Sequence, residues 1–128
     1  MPVATIEIRR RYSREQEEAL IKTVHDAMVE ALKIPQTDRT VRLVVHEPHR
    51  FAVDPGKDDR FTLITIDLFE GRSLKAKAAL YAALVRNLAA FDIPANHVKT
   101  LLRDVPLDDF GIRGVPASQI DLGFEIKV

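Results

Sequence analysis

The amino-acid sequence repeats itself at a spacing of about 60 residues, and that repeat constrains the fold more than any other feature. Ser13 and Leu20 recur as Ser73 and Leu80, and Leu32-Lys33-Ile34-Pro35 recurs as Phe91-Asp92-Ile93-Pro94. Each copy carries the same order of patterns. Residues 3–8 alternate Ala4, Ile6 and Ile8 with Val3, Thr5 and Glu7, the period of a strand with one buried face. Ser13 followed by Gln16 is a capping-box signature, and Leu20, Val24, Ala27, Met28, Ala31 and Leu32 then recur at helical spacing up to Ile34-Pro35. Val41, Leu43 and Val45 alternate again before Pro48. The second copy reads as a strand over 61–68, a helix capped by Ser73, and a strand over 98–103. A strand-helix-strand unit of this length makes a right-handed crossover between parallel strands. The expectation is one α+β domain spanning 1–128: two tandem β-α-β units (2–48 and 61–106) forming a four-stranded mixed sheet with two helices on one face.

Residues 49–60 read as a linker, with a short strand at Phe51-Ala52-Val53 as one option. The tail, 107–128, has turn chemistry at Asp108, Asp109, Gly111, Gly114 and Pro116 before Phe124-Glu125-Ile126-Lys127-Val128 alternates. It is expected to form a C-terminal edge strand or hairpin. No third layer remains to cover the sheet face opposite the helices, so a homo-oligomer is expected; with two fused units per chain, three chains would replace six.

Several functions are excluded early. The 19 basic and 19 acidic residues cancel, so no global field draws the chain to nucleic acid or to an anionic membrane. There is no cysteine, hence no disulfide framework, thiolate metal site or cysteine nucleophile. No leader or membrane-spanning run is read, and the expected location is the cytoplasm. His25, His46, His49 and His97 lack metal-ligand spacing, and no phosphate-binding glycine loop occurs, so no metal and no cofactor are expected.

The most informative single residue is Pro2. Excision of Met1 would leave it a free secondary amine, and α-amino groups titrate near ~8, low enough for burial or a nearby cation to make a neutral general base. The bland alternative is a proline that merely starts a strand. Arg72, by type, can hold a carboxylate with its planar fork, and it stands where the helix dipole disfavours a cation. Asp38 reads equally as a turn residue, Arg42 as a partner for a cross-strand acid, and Phe110 with Ile112 as packing around a tight turn. The cluster Arg9-Arg10-Arg11 with Arg14 reads as a solvated patch.

Together, Pro2 at the start of the first strand, Glu70-Gly71-Arg72-Ser73, Val41-Arg42-Leu43-Val44-Val45-His46-Glu47 and Phe110-Gly111-Ile112-Arg113-Gly114 resemble the tautomerase superfamily. These strings look like the arginine turn, the second strand and the Phe-Gly-Ile tail of 4-oxalocrotonate tautomerase. The length and Ile34-Pro35-Gln36-Thr37-Asp38-Arg39 are similar to the malonate semialdehyde decarboxylase group. The resemblance implies Pro2, Asp38 and Arg72 as catalytic residues, Arg42, Phe110, Ile112 and Arg113 as substrate-binding residues, and a trimer with sites shared between subunits. One departure stands out: the decarboxylases carry two arginines at the second turn, and here Glu70 takes the place of one.

Three functions follow. The first is cofactor-independent keto-enol tautomerisation of small 2-oxo or enol carboxylic acids, with Pro2 as general base, Arg72 aided by Arg42 on the carboxylate, and Asp38 tuning the amine. The second is decarboxylation or hydration of a 3-oxo acid, in which a cationic Pro2 polarises the carbonyl. The third is a catalytically idle trimeric scaffold or ligand-binding protein.

Overall fold

The computed structural model describes residues 1–128. Strand β1 (Val3–Ile8) leads into helix α1 (Arg14–Leu32) and strand β2 (Val41–Val45), and the pattern repeats with β3 (Thr62–Phe69), α2 (Leu74–Leu88) and β4 (Val98–Val105). A two-residue ladder of β5 (Gly111–Ile112) and β6 (Val115–Pro116) forms a separate antiparallel hairpin. The sheet order is β2-β1-β3-β4, parallel within each unit and antiparallel where β1 meets β3. The fold class read from the sequence is the one observed. Thr5, which the repeat relates to Thr65, is paired with Thr65 itself, so the two units turn about an axis through that pair.

Each helix begins and ends for stated reasons. Ser13 Oγ accepts from the Gln16 amide at 3.1 Å while Gln16 Oε1 accepts from the Ser13 amide at 2.8 Å, closing a full capping box. Both helices run into a left-handed residue before Ile-Pro, Lys33 at φ 56° and Asp92 at φ 59°, a backbone stop that the following prolines enforce. Ala4, Ile6, Ile8, Ile64, Ile66 and Leu68 line the helix-facing side of the sheet and pack on Leu20, Val24, Met28, Leu80, Leu84 and Leu88, all fully buried. The other face carries Val3, Thr5, Val44, Leu63, Thr65 and Leu101 with two polar pairs, His46 on Glu7 at 3.0 Å and the ion pair of Arg103 on Asp67 at 2.7 Å.

Two strand expectations are corrected. Residues 51–53 form no strand; Pro48–Arg50 makes a 3-10 turn, and Phe51 is used instead as an aromatic wedge against His46 and Phe61. Residues 124–128 form no edge strand either. Their alternation is real, since Phe124, Ile126 and Val128 are half-buried and Glu125 and Lys127 exposed, but the segment packs across the turn between β3 and α2. Its one backbone bond, from the Ser73 amide to Val128, is no ladder.

Candidate active site at the start of the first strand

The antiparallel joint decides which residues meet. Because β1 runs against β3 but along β2, the start of β1, the end of β3 and the loop entering β2 lie at one end of the sheet. The Ala4 amide donates to the Thr40 carbonyl at 3.0 Å, and Val3 is opposite Asp67. Pro2 is buried there, and the amine of the residue before it, Met1, lies near Asp38 from the β2 loop and Arg72 from the β3–α2 turn. The chain's amino nitrogen, on Met1, is 3.4 Å from Asp38 Oδ2, an ion-pair distance. Its pKa is lowered below 8.0 chiefly by burial; the Arg72 cation also lowers it, and Asp38 opposes them.

Arg72 is the unusual member. Only 6% of it is exposed, yet it makes one hydrogen bond, from Nη1 to the Phe69 carbonyl at 3.3 Å. Nε and Nη2 are buried with no acceptor. Those two nitrogens form the side edge of the guanidinium, the edge that can donate two parallel bonds to one carboxylate. Burial lowers the pKa of Arg72, with Asp38 and then Asp104 pulling it back, and an arginine so placed remains a cation. Asp38 Oδ2 is likewise buried, and apart from the Met1 amine at 3.4 Å it has no hydrogen-bond donor.

The loop that carries Asp38 is held from below. His25, buried on α1, lies with Nε2 2.8 Å from the Gln36 carbonyl, and a carbonyl only accepts, so Nε2 carries the proton. The Asp38 amide closes the turn on the Pro35 carbonyl at 3.0 Å. The Phe69 and Phe110 rings meet edge-on at 4.5 Å, and the Glu70 amide donates to the Val105 carbonyl at 3.0 Å. Glu70 itself is exposed.

The structure thus brings Pro2, Asp38 and Arg72 together and sets Phe110 against Phe69 beside the Arg72 carbonyl anchor. It does not bring the other candidates to this cluster. Arg42 lies on the helix-free face, exposed, bonded to Thr5 Oγ1 at 2.9 Å rather than to an acid. Ile112 and Arg113 sit on the hairpin, Arg113 exposed at φ 53°. The larger clefts of the single chain, about 360 and 400 Å³, are lined by neither Pro2, Asp38 nor Arg72. Sequence reasoning missed His25, Phe69 and Asp104; the last two needed the parallel β3–β4 register, which sets Leu68 beside Asp104.

The opposite end of the sheet is the repeat's own control. There Thr62 stands where Pro2 does, Tyr12 where Arg72 does, and His97 where Asp38 does. His97 Nε2 accepts from the Asp58 amide at 3.3 Å, tying down the linker, and no free amine is available.

Comparison with known proteins agrees with this geometry. Two family models described as tautomerase enzymes match, one over residues 38–113 and one over residues 2–54. The chain belongs to the tautomerase family. A probable tautomerase of Ralstonia nicotianae is 39% identical over 57 residues, 44% of this chain and 81% of that protein. Among solved structures, a fused 4-OT in a wild-type asymmetric trimer superposes with a TM-score of 0.83 at 23% identity, covering 91% of this chain and 96% of that one. A malonate semialdehyde decarboxylase inhibited by 3-bromopropiolate superposes with a TM-score of 0.71 at 30% identity, covering 85% and 87%. The tautomerase fold therefore accounts for both β-α-β units.

Proposed function

We propose that this tautomerase-family chain catalyses keto-enol tautomerisation of small 2-oxo or enol monocarboxylic acids, without a cofactor, using Pro2 as base after removal of Met1. The observation that carries the reading is Arg72: a buried cation with its two-donor edge unpaired at the end of the sheet where Pro2 begins the first strand. A substrate carboxylate docks on Nε and Nη2. The neutral prolyl nitrogen takes the proton from the enol hydroxyl and returns it to the adjacent carbon, giving the 2-oxo acid with no net change in atoms or charge. Phe69 and Phe110 keep that end apolar, which strengthens the ion pair with Arg72.

Decarboxylation or hydration of a 3-oxo acid is the second reading, and Asp38 is the observation that favours it. The half-buried Asp38 lies at ion-pair distance from the Met1 amine and raises its proton affinity; acting in the same way on a freed Pro2 amine, it would favour a cationic Pro2. Glu70, exposed to solvent, does little to repel an anion. In either case we place the enzyme in a homo-oligomer, a trimer as in the fused 4-OT structures, assembled on the helix-free sheet face. Arg42, Ile112 and Arg113 would then reach a site of a neighbouring copy.

Intact mass of the natively expressed protein, followed by phenylenolpyruvate turnover of wild type and Pro2→Ala, tests the reading. Loss of Met1 with a fall in kcat/KM of roughly 100-fold or more is expected, the usual scale for removing a positioned base. Retained Met1, which leaves an amide at Pro2, or turnover indifferent to Pro2, refutes it and returns the chain to an idle scaffold.

A further inference from the structure

The two helices start at equivalent places in the repeat, but they are capped differently. Ser13 Oγ and Ser73 Oγ each accept from the amide three residues on, Gln16 and Ala76, both at 3.1 Å. In α1 the reciprocal bond exists, because Gln16 Oε1 accepts from the Ser13 amide. In α2 the third position is Ala76, which has no acceptor. The Ser73 amide donates instead to the main-chain oxygen of Val128 at 3.2 Å, supplied by the tail.

The tail is fitted to this turn at several points. Phe124 packs on the core. A Cβ on Gly71, which sits at φ 123°, would stand 3.2 Å from Ile126 Cγ2 and 3.7 Å from Lys127 Cγ. Val128 lines a cleft with Ser73 and Ala76. Arg72 lies between the two residues so held. Before it, Glu70 is tied to β4 through Val105; after it, Ser73 is tied to the tail. The guanidinium makes a single hydrogen bond of its own, so its position depends on the backbone on both sides.

We propose that Ile126–Val128 is a positioning strap: it supplies the acceptor that the α2 cap lacks, fixes the Ser73 side of the turn, and so holds the free edge of Arg72 for the substrate carboxylate. The strap touches no substrate. The inference rests on reading Arg72 as the carboxylate holder, and its test separates the two.

The test is removal of residues 126–128, which leaves Phe124 in the core, with and without Ala76→Gln, which installs the acceptor that Gln16 provides in α1. Each protein is read by amide hydrogen exchange at Ser73 and by KM and kcat for phenylenolpyruvate. Truncation is expected to speed Ser73 exchange and raise KM roughly tenfold, with kcat changed less than about threefold, and Ala76→Gln is expected to restore both in the truncated chain. Unchanged Ser73 exchange, unchanged KM, or a KM that Ala76→Gln does not recover overturns the proposal. If the full chain shows no Pro2-dependent turnover, the catalytic reading has failed. The strap is then judged by Ser73 exchange and the Arg72 Nε–H resonance, which truncation should shift and Ala76→Gln should return.

Discussion

Replacing Arg72 with methionine should stabilise the protein while disabling it. The side chain is almost fully buried and two of its three nitrogens lack acceptors. Each buried, unpaired donor costs about 1–3 kcal/mol, so the pair costs about 2–6. Against this stand one charged hydrogen bond to Phe69, worth about 1.5–3 kcal/mol, and the attraction of Asp38 and Asp104, about 1 kcal/mol after Asp104 is shared with Lys77 at 2.8 Å. Methionine fills a similar volume with an unbranched, adaptable chain. At the midpoints the balance is a gain of about 1 kcal/mol, or a rise in Tm of about 4 °C for a chain of this size. Urea unfolding at fixed protein concentration measures the first, and phenylenolpyruvate kinetics the second, where kcat/KM should fall by roughly 100-fold. A variant less stable by 1 kcal/mol or more would mean that Arg72 is a structural cation with partners in the assembly, and the argument from its empty edge would collapse.

The pH profile should carry the same neighbours. Burial and Arg72 lower the pKa of the Met1 amine below 8.0, and a Pro2 amine freed beside the same groups is expected to follow, so kcat/KM for the base reaction should rise with pH through an inflection below that value. Removing Arg72 should move the inflection up and Asp38→Asn should move it down; a shift of opposite sign in either variant contradicts the placement. A base whose pKa is lowered on folding is charged at a cost below its folded pKa, so its contribution to stability improves as pH rises from there towards 8.0, which urea titrations at several pH values can detect. Arg42→Ala, losing one exposed bond to Thr5, should change stability by less than about 0.5 kcal/mol and yet lower kcat/KM about tenfold if Arg42 serves a neighbouring site. Equal, unaltered kinetics would remove Arg42 from the site. Leu101, 53% exposed on the helix-free face, should abolish assembly when changed to Asp, read as molar mass by light scattering; an unchanged oligomer would place the interface elsewhere.

Much of the fold was legible because the signals were local. The capping box at Ser13, the Ile-Pro stops and the alternation of Ala4, Ile6 and Ile8 each need only a few neighbouring residues. The tail shows the limit of such signals. Alternation in Phe124–Val128 says that one side is buried and nothing about what buries it; the partner was a helix start short of one acceptor. Arg42 illustrates the same limit across strands: the nearest acid on its face, Glu7, is taken by His46, and a threonine was left.

That Pro2, Asp38 and Arg72 share one end of the sheet follows from a long-range fact, the antiparallel meeting of β1 and β3. Two parallel units side by side in the other sense would set the start of β1 next to the start of β3, and Pro2 would lie at the opposite end of the sheet from Arg72. The pairing of Thr5 with Thr65 fixes the sense, and with it the company of the amine. The same two-fold arrangement creates a second, matching end, where different residues occupy the equivalent places. Thr62 is an internal residue and presents no amine, so an amine-based site of the kind proposed can form at one end alone. The other end has an imidazole at His97 where the first has a carboxylate and a phenol at Tyr12 where the first has arginine; His97 holds the Asp58 amide of the linker, and Tyr12 packs edge-on against Phe91.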